Sequence, residues 1–94
     1  LSRISMKRVN VLITGEVQGV FFRSFIRQNA LDRGINGYVR NKGAGKVEAV
    51  FEGKDKDVEE IIKICKKGPP GAKVKSVQVK EERYLNEFLG FNVV

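Results

Sequence analysis

Nine consecutive residues, Gly15-Glu16-Val17-Gln18-Gly19-Val20-Phe21-Phe22-Arg23, carry the parts of an anion cradle. Two glycines permit a turn that aims successive backbone N–H groups inward. A helical pattern starting at Phe22 adds a positive N-terminal end, and Arg23 offers a planar fork of donors that suits a phosphate. An arginine in the first turn of a helix is disfavoured by that positive end unless an anion sits between them. Neither common nucleotide loop accounts for the segment. A triphosphate loop needs two glycines five apart followed by Lys and Ser or Thr, whereas Gly15 and Gly19 are four apart and Val20-Phe21 follow. The dinucleotide fingerprint fails as well.

The chain contains no His. A general base near neutral pH would therefore be a perturbed carboxylate, a lysine, a cysteine or the substrate itself. The single cysteine, Cys65, falls on an apolar helical stripe and reads as an inert core thiol. It has no partner for a disulfide and no companions for a zinc site, so no metal and no cofactor are expected. Asn41, taken alone, is a turn residue at the end of a strand.

The elements that must position these residues follow from periodicity. Residues 8–14 alternate, with Val9, Val11 and Ile13 on one side and Asn10, Leu12 and Thr14 on the other, which predicts a strand ending at Gly15. Phe22, Phe25, Ile26 and Ala30 then mark a helix of about three turns, stopped by Gly34. Residues 35–41 and 46–52 predict a hairpin around Lys42-Gly43-Ala44-Gly45. Asp55 or Asp57 is expected to cap a second helix, whose Val58, Ile61, Ile62 and Cys65 share a stripe before Gly68-Pro69-Pro70-Gly71 ends it. Residues 74–80 give a strand with Val77 and Val79 on one face, and Phe91 and Val93 a last short one beyond a polar connection. Strand, helix, strand, strand, helix, strand is the order of an α+β, ferredoxin-like βαββαβ sandwich. An antiparallel sheet with two helices on one face and a short extra C-terminal strand is expected. Val17, Val20, Phe21 and Phe22 are expected to pin the loop to the core while Gln18 hydrogen-bonds within it.

With 94 residues, 41% hydrophobic and 31% charged, the chain has the size and composition of one domain spanning 1–94, with residues 1–5 as an extension. No apolar run approaches the roughly 18 residues of a membrane span, and the start does not resemble a secretory signal, so a cytoplasmic monomer is the expectation. A net charge of +7 attracts anionic partners without choosing among them. Lys63, Lys66, Lys67, Lys73, Lys75 and Lys80 read as a solvated basic surface.

The nine-residue loop resembles that of the acylphosphatase family, Gly, any residue, Val-Gln-Gly-Val, any residue, Phe-Arg, at every fixed position. The similarity continues through Gly37-Tyr38-Val39-Arg40-Asn41, Gly45-Lys46-Val47-Glu48, Phe51-Glu52-Gly53 and Gly68-Pro69-Pro70. Most relatives have Trp where Tyr38 stands and many have Asp where Ala44 stands. The resemblance implies metal-independent hydrolysis of a small-molecule acyl phosphate to a carboxylate and inorganic phosphate. It also implies that Arg23 and the backbone of Glu16, Val17, Gln18, Gly19, Val20, Phe21 and Phe22 hold the phosphate while Asn41 orients the water.

Two other readings compete. An RNA-binding module shares the fold and the charge, but Lys46-Val47-Glu48-Ala49-Val50-Phe51 lacks the aromatic signature such a strand needs, and nucleic acid is not the expected partner. A phosphate-cradling accessory domain acting on carbamoyl phosphate is the other.

Overall fold

The computed structural model describes residues 4–17 and 21–94. In chain order the elements are β1 (Met6–Glu16), α1 (Phe22–Asp32), β2 (Asn36–Asn41), β3 (Lys46–Lys54), α2 (Asp55–Lys67), β4 (Lys73–Glu82) and β5 (Phe91–Val93). They form one five-stranded sheet in the order β4-β1-β3-β2-β5. The first four strands are antiparallel, as the sequence predicts, whereas β5 runs parallel to β2. The reason is topological: β4 ends and β5 begins at the same end of the sheet, so the short segment between them delivers β5 in the direction of β2.

Alternation along the strands separates the two faces. Val9, Val11 and Ile13 of β1, Val39 of β2, and Val47, Ala49 and Phe51 of β3 are buried against the helices. From above, α1 contributes Phe22, Ile26 and Ala30, and α2 contributes Val58, Ile61 and Cys65. Val77 packs against this core, but Val79 on the outer strand is 44% exposed, because the helices do not reach that edge. Among the described residues no helix is long and apolar enough to cross a membrane.

Helix α1 ends in a paired hydrogen-bond motif. Gly34 N–H donates to the Leu31 carbonyl at 3.2 Å and Ile35 N–H to the Ala30 carbonyl at 2.9 Å, with Gly34 at φ +66. The start of α2 differs from the expected cap. Lys54 occupies the cap position in extended geometry with no side-chain bond, and Asp55 and Asp57 lie inside the first turn. Strand β3 runs directly into the helix, so the two aspartates act through charge on its positive end.

The 83–90 segment crosses the sheet face opposite the helices and is held there by Glu52. This carboxylate, 2% exposed, accepts backbone N–H groups from Leu85 (2.9 Å), Asn86 (3.1 Å) and Glu87 (3.2 Å). Arg8 stands 3.5 Å from it, also pairs with Glu82 and Glu87, and lies over the Phe88 ring.

Candidate active site

Strand β1 reaches the site through a bulge. Its register with β4 shifts between Thr14 and Gly15, so that Gly15 faces Val74 and Glu16 faces Lys73. Gly15 has φ +147, and a Cβ there would stand 2.1 Å from the Lys73 carbonyl oxygen and 2.8 Å from the Lys75 nitrogen. Only glycine permits that approach. The Gly15 N–H donates to the Gly45 carbonyl at 2.9 Å, which ties the start of the loop to the β2–β3 turn. Glu16 is exposed, and Val17, 1% exposed, anchors the loop in the core as expected. Gln18, Gly19 and Val20 lie outside the described residues.

Phe21 is the cap residue of α1, in the left-handed region at φ 59 and ψ 29. Among the described residues no side chain caps this helix start, and its first turn holds no acid, so its positive end favours an anion. Phe22 pins the helix. Its ring is 1% exposed, meets Phe25 edge-on at 6.2 Å, and lies so close over Gly68 that a Cβ there would be 3.1 Å away. Phe21 does not share this role, contrary to expectation: it is 85% exposed. Consecutive residues at a helix start point in different directions, so with Phe22 in the core Phe21 faces out. Its left-handed backbone costs about 1–2 kcal/mol in a non-glycine residue.

Arg23, the second residue of α1, is exposed and enters none of the ion pairs among the described residues. One turn on, Arg27 shares its helix stripe. Arg27 Nε donates to the Phe91 carbonyl at 3.2 Å, so the stripe that begins with Arg23 overlooks the β2–β5 side of the sheet.

Asn41 closes β2 on that side. It lies opposite Val47, which lies opposite Ile13, placing Asn41 about 10 Å across the sheet from β1, two residues before Gly15. Residues 37, 39 and 41 share the helix-facing side of β2, and Asn41 is exposed where the core ends. Lengths agree with this placement. The 11 residues of α1 span about 16 Å and the 6 of β2 about 20 Å in the reverse direction, so Asn41 returns to the level of the first turn of α1. The topology thus gathers Gly15, Glu16, the open start of α1, Arg23 and Asn41 at one end of the sheet.

The residue before Asn41 is anchored across the sheet. Arg40 Nε donates to Glu48 Oε1 at 2.6 Å, and Asn10 Nδ2 donates to Glu48 Oε2 at 3.0 Å, linking β2, β3 and β1 in a row. Partial burial pushes the Glu48 pKa up, but the hydrogen bonds from Asn10 and Arg40 and the charges of Arg40 and Lys42 outweigh it and leave the group below its ordinary value. Cys65 is the opposite case: burial alone pushes its thiol up to about 12.

Three supporting residues escape sequence reasoning. Arg27 has only its four-residue spacing from Arg23 to suggest a shared stripe. Gly45 acts through its carbonyl, which no side-chain pattern reveals. Glu52 falls on the outer face by alternation, and its burial comes from a segment more than 30 residues away.

The family model for acylphosphatase matches residues 9–93. An acylphosphatase of Pelotomaculum thermopropionicum is 46% identical over 90 residues, covering 96% of this chain and 98% of that one. The crystal structure of acylphosphatase from Bacillus subtilis superimposes with a TM-score of 0.89 at 32% identity, covering 96% of this chain and 99% of that one. The structure of an acylphosphatase from Coxiella burnetii gives 0.91 at 29% identity over 100% of both. With this loop, this sheet order and a match over nearly its whole length, the chain belongs to the acylphosphatase family, hydrolases that act on acyl phosphates.

Proposed function

We propose that the chain cleaves acyl phosphates without a metal, holding the phosphoryl group between the open N-terminus of α1, the loop N–H groups and Arg23, and placing the attacking water with Asn41. The observation that carries this reading is the acid-free first turn of α1, without a side-chain cap among the described residues and with an exposed arginine in it, at the end of the sheet where Asn41 closes β2.

The chemistry asks for little beyond positioning. An acyl phosphate is a mixed anhydride whose leaving carboxylate has a solution pKa near ~4, so the bond breaks without a general acid. Water adds to phosphorus as the P–O bond to the acyl oxygen breaks, with the electron pair leaving on the carboxylate. One water proton passes to a phosphate oxygen, giving RCOO⁻ and H₂PO₄⁻ from the acyl phosphate dianion and water. A loose transition state needs its equatorial oxygens held and the nucleophile in line, which N–H dipoles and a guanidinium fixed before reaction supply. The amide of Asn41 can donate a hydrogen bond to one partner while its oxygen accepts one from the water O–H, which neither Asp nor Leu of similar size can do. The absence of His is consistent with a substrate that acts as its own base.

Steady-state hydrolysis of benzoyl phosphate, with inorganic phosphate as competitor, tests the reading. Arg23→Ala and Asn41→Ala are each expected to lower turnover at least about a hundredfold. Near wild-type rates in either variant would remove that residue from the mechanism. Activity is expected to survive chelator; loss with recovery on adding magnesium would contradict the metal-free step. Carbamoyl phosphate turned over far faster than other acyl phosphates would favour an accessory role instead.

A further inference from the structure

Phe21 is the residue at this site that the fold does not explain. It adopts a left-handed backbone at φ 59, where Gly or Asn is the usual occupant, and it leaves 85% of a large apolar side chain in water. Its neighbours on either side of the loop, Val17 and Phe22, are each 1% exposed. The described aromatic pairs are Phe22 with Phe25, Tyr38 with Phe88 and Phe51 with Phe91, and Phe21 belongs to none of them. Strained backbone and exposed apolar surface at one position bring the folded state no return, and such residues concentrate where a ligand completes them.

The position also fits a ligand. The Phe21 carbonyl accepts the Phe25 N–H at 2.9 Å, so this residue opens α1 and stands two places before Arg23. A phosphoryl group seated on the first turn turns its three free oxygens toward the N–H groups and the guanidinium. Its acyl oxygen, opposite the in-line water, then points out of the cradle toward solvent. The acyl group emerges beside the rim, and Phe21 supplies an apolar ring there.

We propose that Phe21 is the acyl-group specificity residue, its ring packing against the organic part of the substrate and favouring aromatic or bulky apolar acyl phosphates over acetyl phosphate. The inference rests on the proposed function above. One ring-to-ring or ring-to-alkyl contact of this kind corresponds to about tenfold in discrimination.

The test is the ratio of kcat/KM for benzoyl phosphate to that for acetyl phosphate in the wild type, Phe21→Asn and Phe21→Tyr. Asn tolerates the left-handed backbone, so it removes the ring without disturbing the turn, while Tyr retains the ring. The expected result is a roughly tenfold fall in the ratio for Phe21→Asn, carried by a higher KM for benzoyl phosphate, with the ratio kept in Phe21→Tyr. Inhibition by inorganic phosphate, which has no acyl group, is expected to change less than that KM. If the wild type hydrolyses both substrates and Phe21→Asn keeps the wild-type ratio, the proposal is overturned while the proposed function stands. Equal losses on both substrates with weaker phosphate inhibition would also overturn it, by showing that Phe21 only shapes the loop. A wild type that hydrolyses neither substrate would sink both readings together.

Discussion

Replacing Gly15 by Ala tests whether the bulge at the end of β1 builds the site. A Cβ at this position would lie 2.1 Å from the Lys73 carbonyl oxygen. Ordinary carbon–oxygen contact lies near about 3.4 Å, so the strands must part by more than about an ångström. That movement disrupts pairing beyond the bulge, where Gly15 faces Val74 and Glu16 faces Lys73, and it strains the Gly15–Gly45 hydrogen bond. Two or three backbone hydrogen bonds at ~1 kcal/mol each, plus ~1–2 kcal/mol for an alanine at φ +147, give a loss of about 3–5 kcal/mol. For a chain of this size that lowers Tm by about 15–30 °C. Gly34→Ala is the control. It also sits at positive φ, but an added Cβ meets nothing within 4 Å, so it should cost only the ~1–2 kcal/mol of backbone strain. Urea unfolding followed by circular dichroism gives the stabilities. Below the unfolding transition of Gly15→Ala, inhibition by inorganic phosphate should be at least about tenfold weaker than in wild type, because the loop enters the cradle from a displaced strand. Equal stabilities for the two variants, or unchanged phosphate inhibition in folded Gly15→Ala, would refute the argument that close strand approach shapes the cradle.

Glu52→Ala should cost about 3–5 kcal/mol in urea unfolding, since it strands three backbone N–H groups and one of the partners of Arg8; a loss under 1 kcal/mol would show that the 83–90 segment holds itself. Because the pKa of Glu48 is lowered in the folded state, the stability it contributes is present in full above its ordinary value of 4.5 and is lost as pH falls through the lower folded value. Arg40→Ala should therefore be less stable than wild type at pH 6, with the gap closing toward pH 3; a gap constant with pH would mean the pair does not act through charge. Cys65, fully buried with its thiol pushed up to about 12, should react with a disulfide reagent at pH 8 only at the rate of unfolding, and immediate labelling of the native chain would contradict its place in the core.

Much of this molecule is local and therefore readable from residue order. Alternation in Val9, Val11 and Ile13, the helical stripes of α1 and α2, and Gly34 as a helix stop are properties of short windows, and the structure has them. The element order limited how the four antiparallel strands could be joined, because short connections leave few ways to do so. Arg23 stood out as a candidate from the loop motif itself, whereas Asn41 and the backbone of Glu16 were named only through the family resemblance. Other features required distant parts of the chain to meet. Asp55 and Asp57 look like caps until β3 is seen to run without a break into α2, and β5 is parallel only because β4 ends where it does. Phe21 and Phe22 are both phenylalanine; that Phe22 is the buried one depends on distant residues such as Gly68, just past α2, over which its ring lies. Glu52 reads as a surface residue until 85–87 bring their N–H groups to it. Burial and hydrogen-bond partners are settled by contacts far apart in the chain, whereas periodicity and turn chemistry are settled within a few residues.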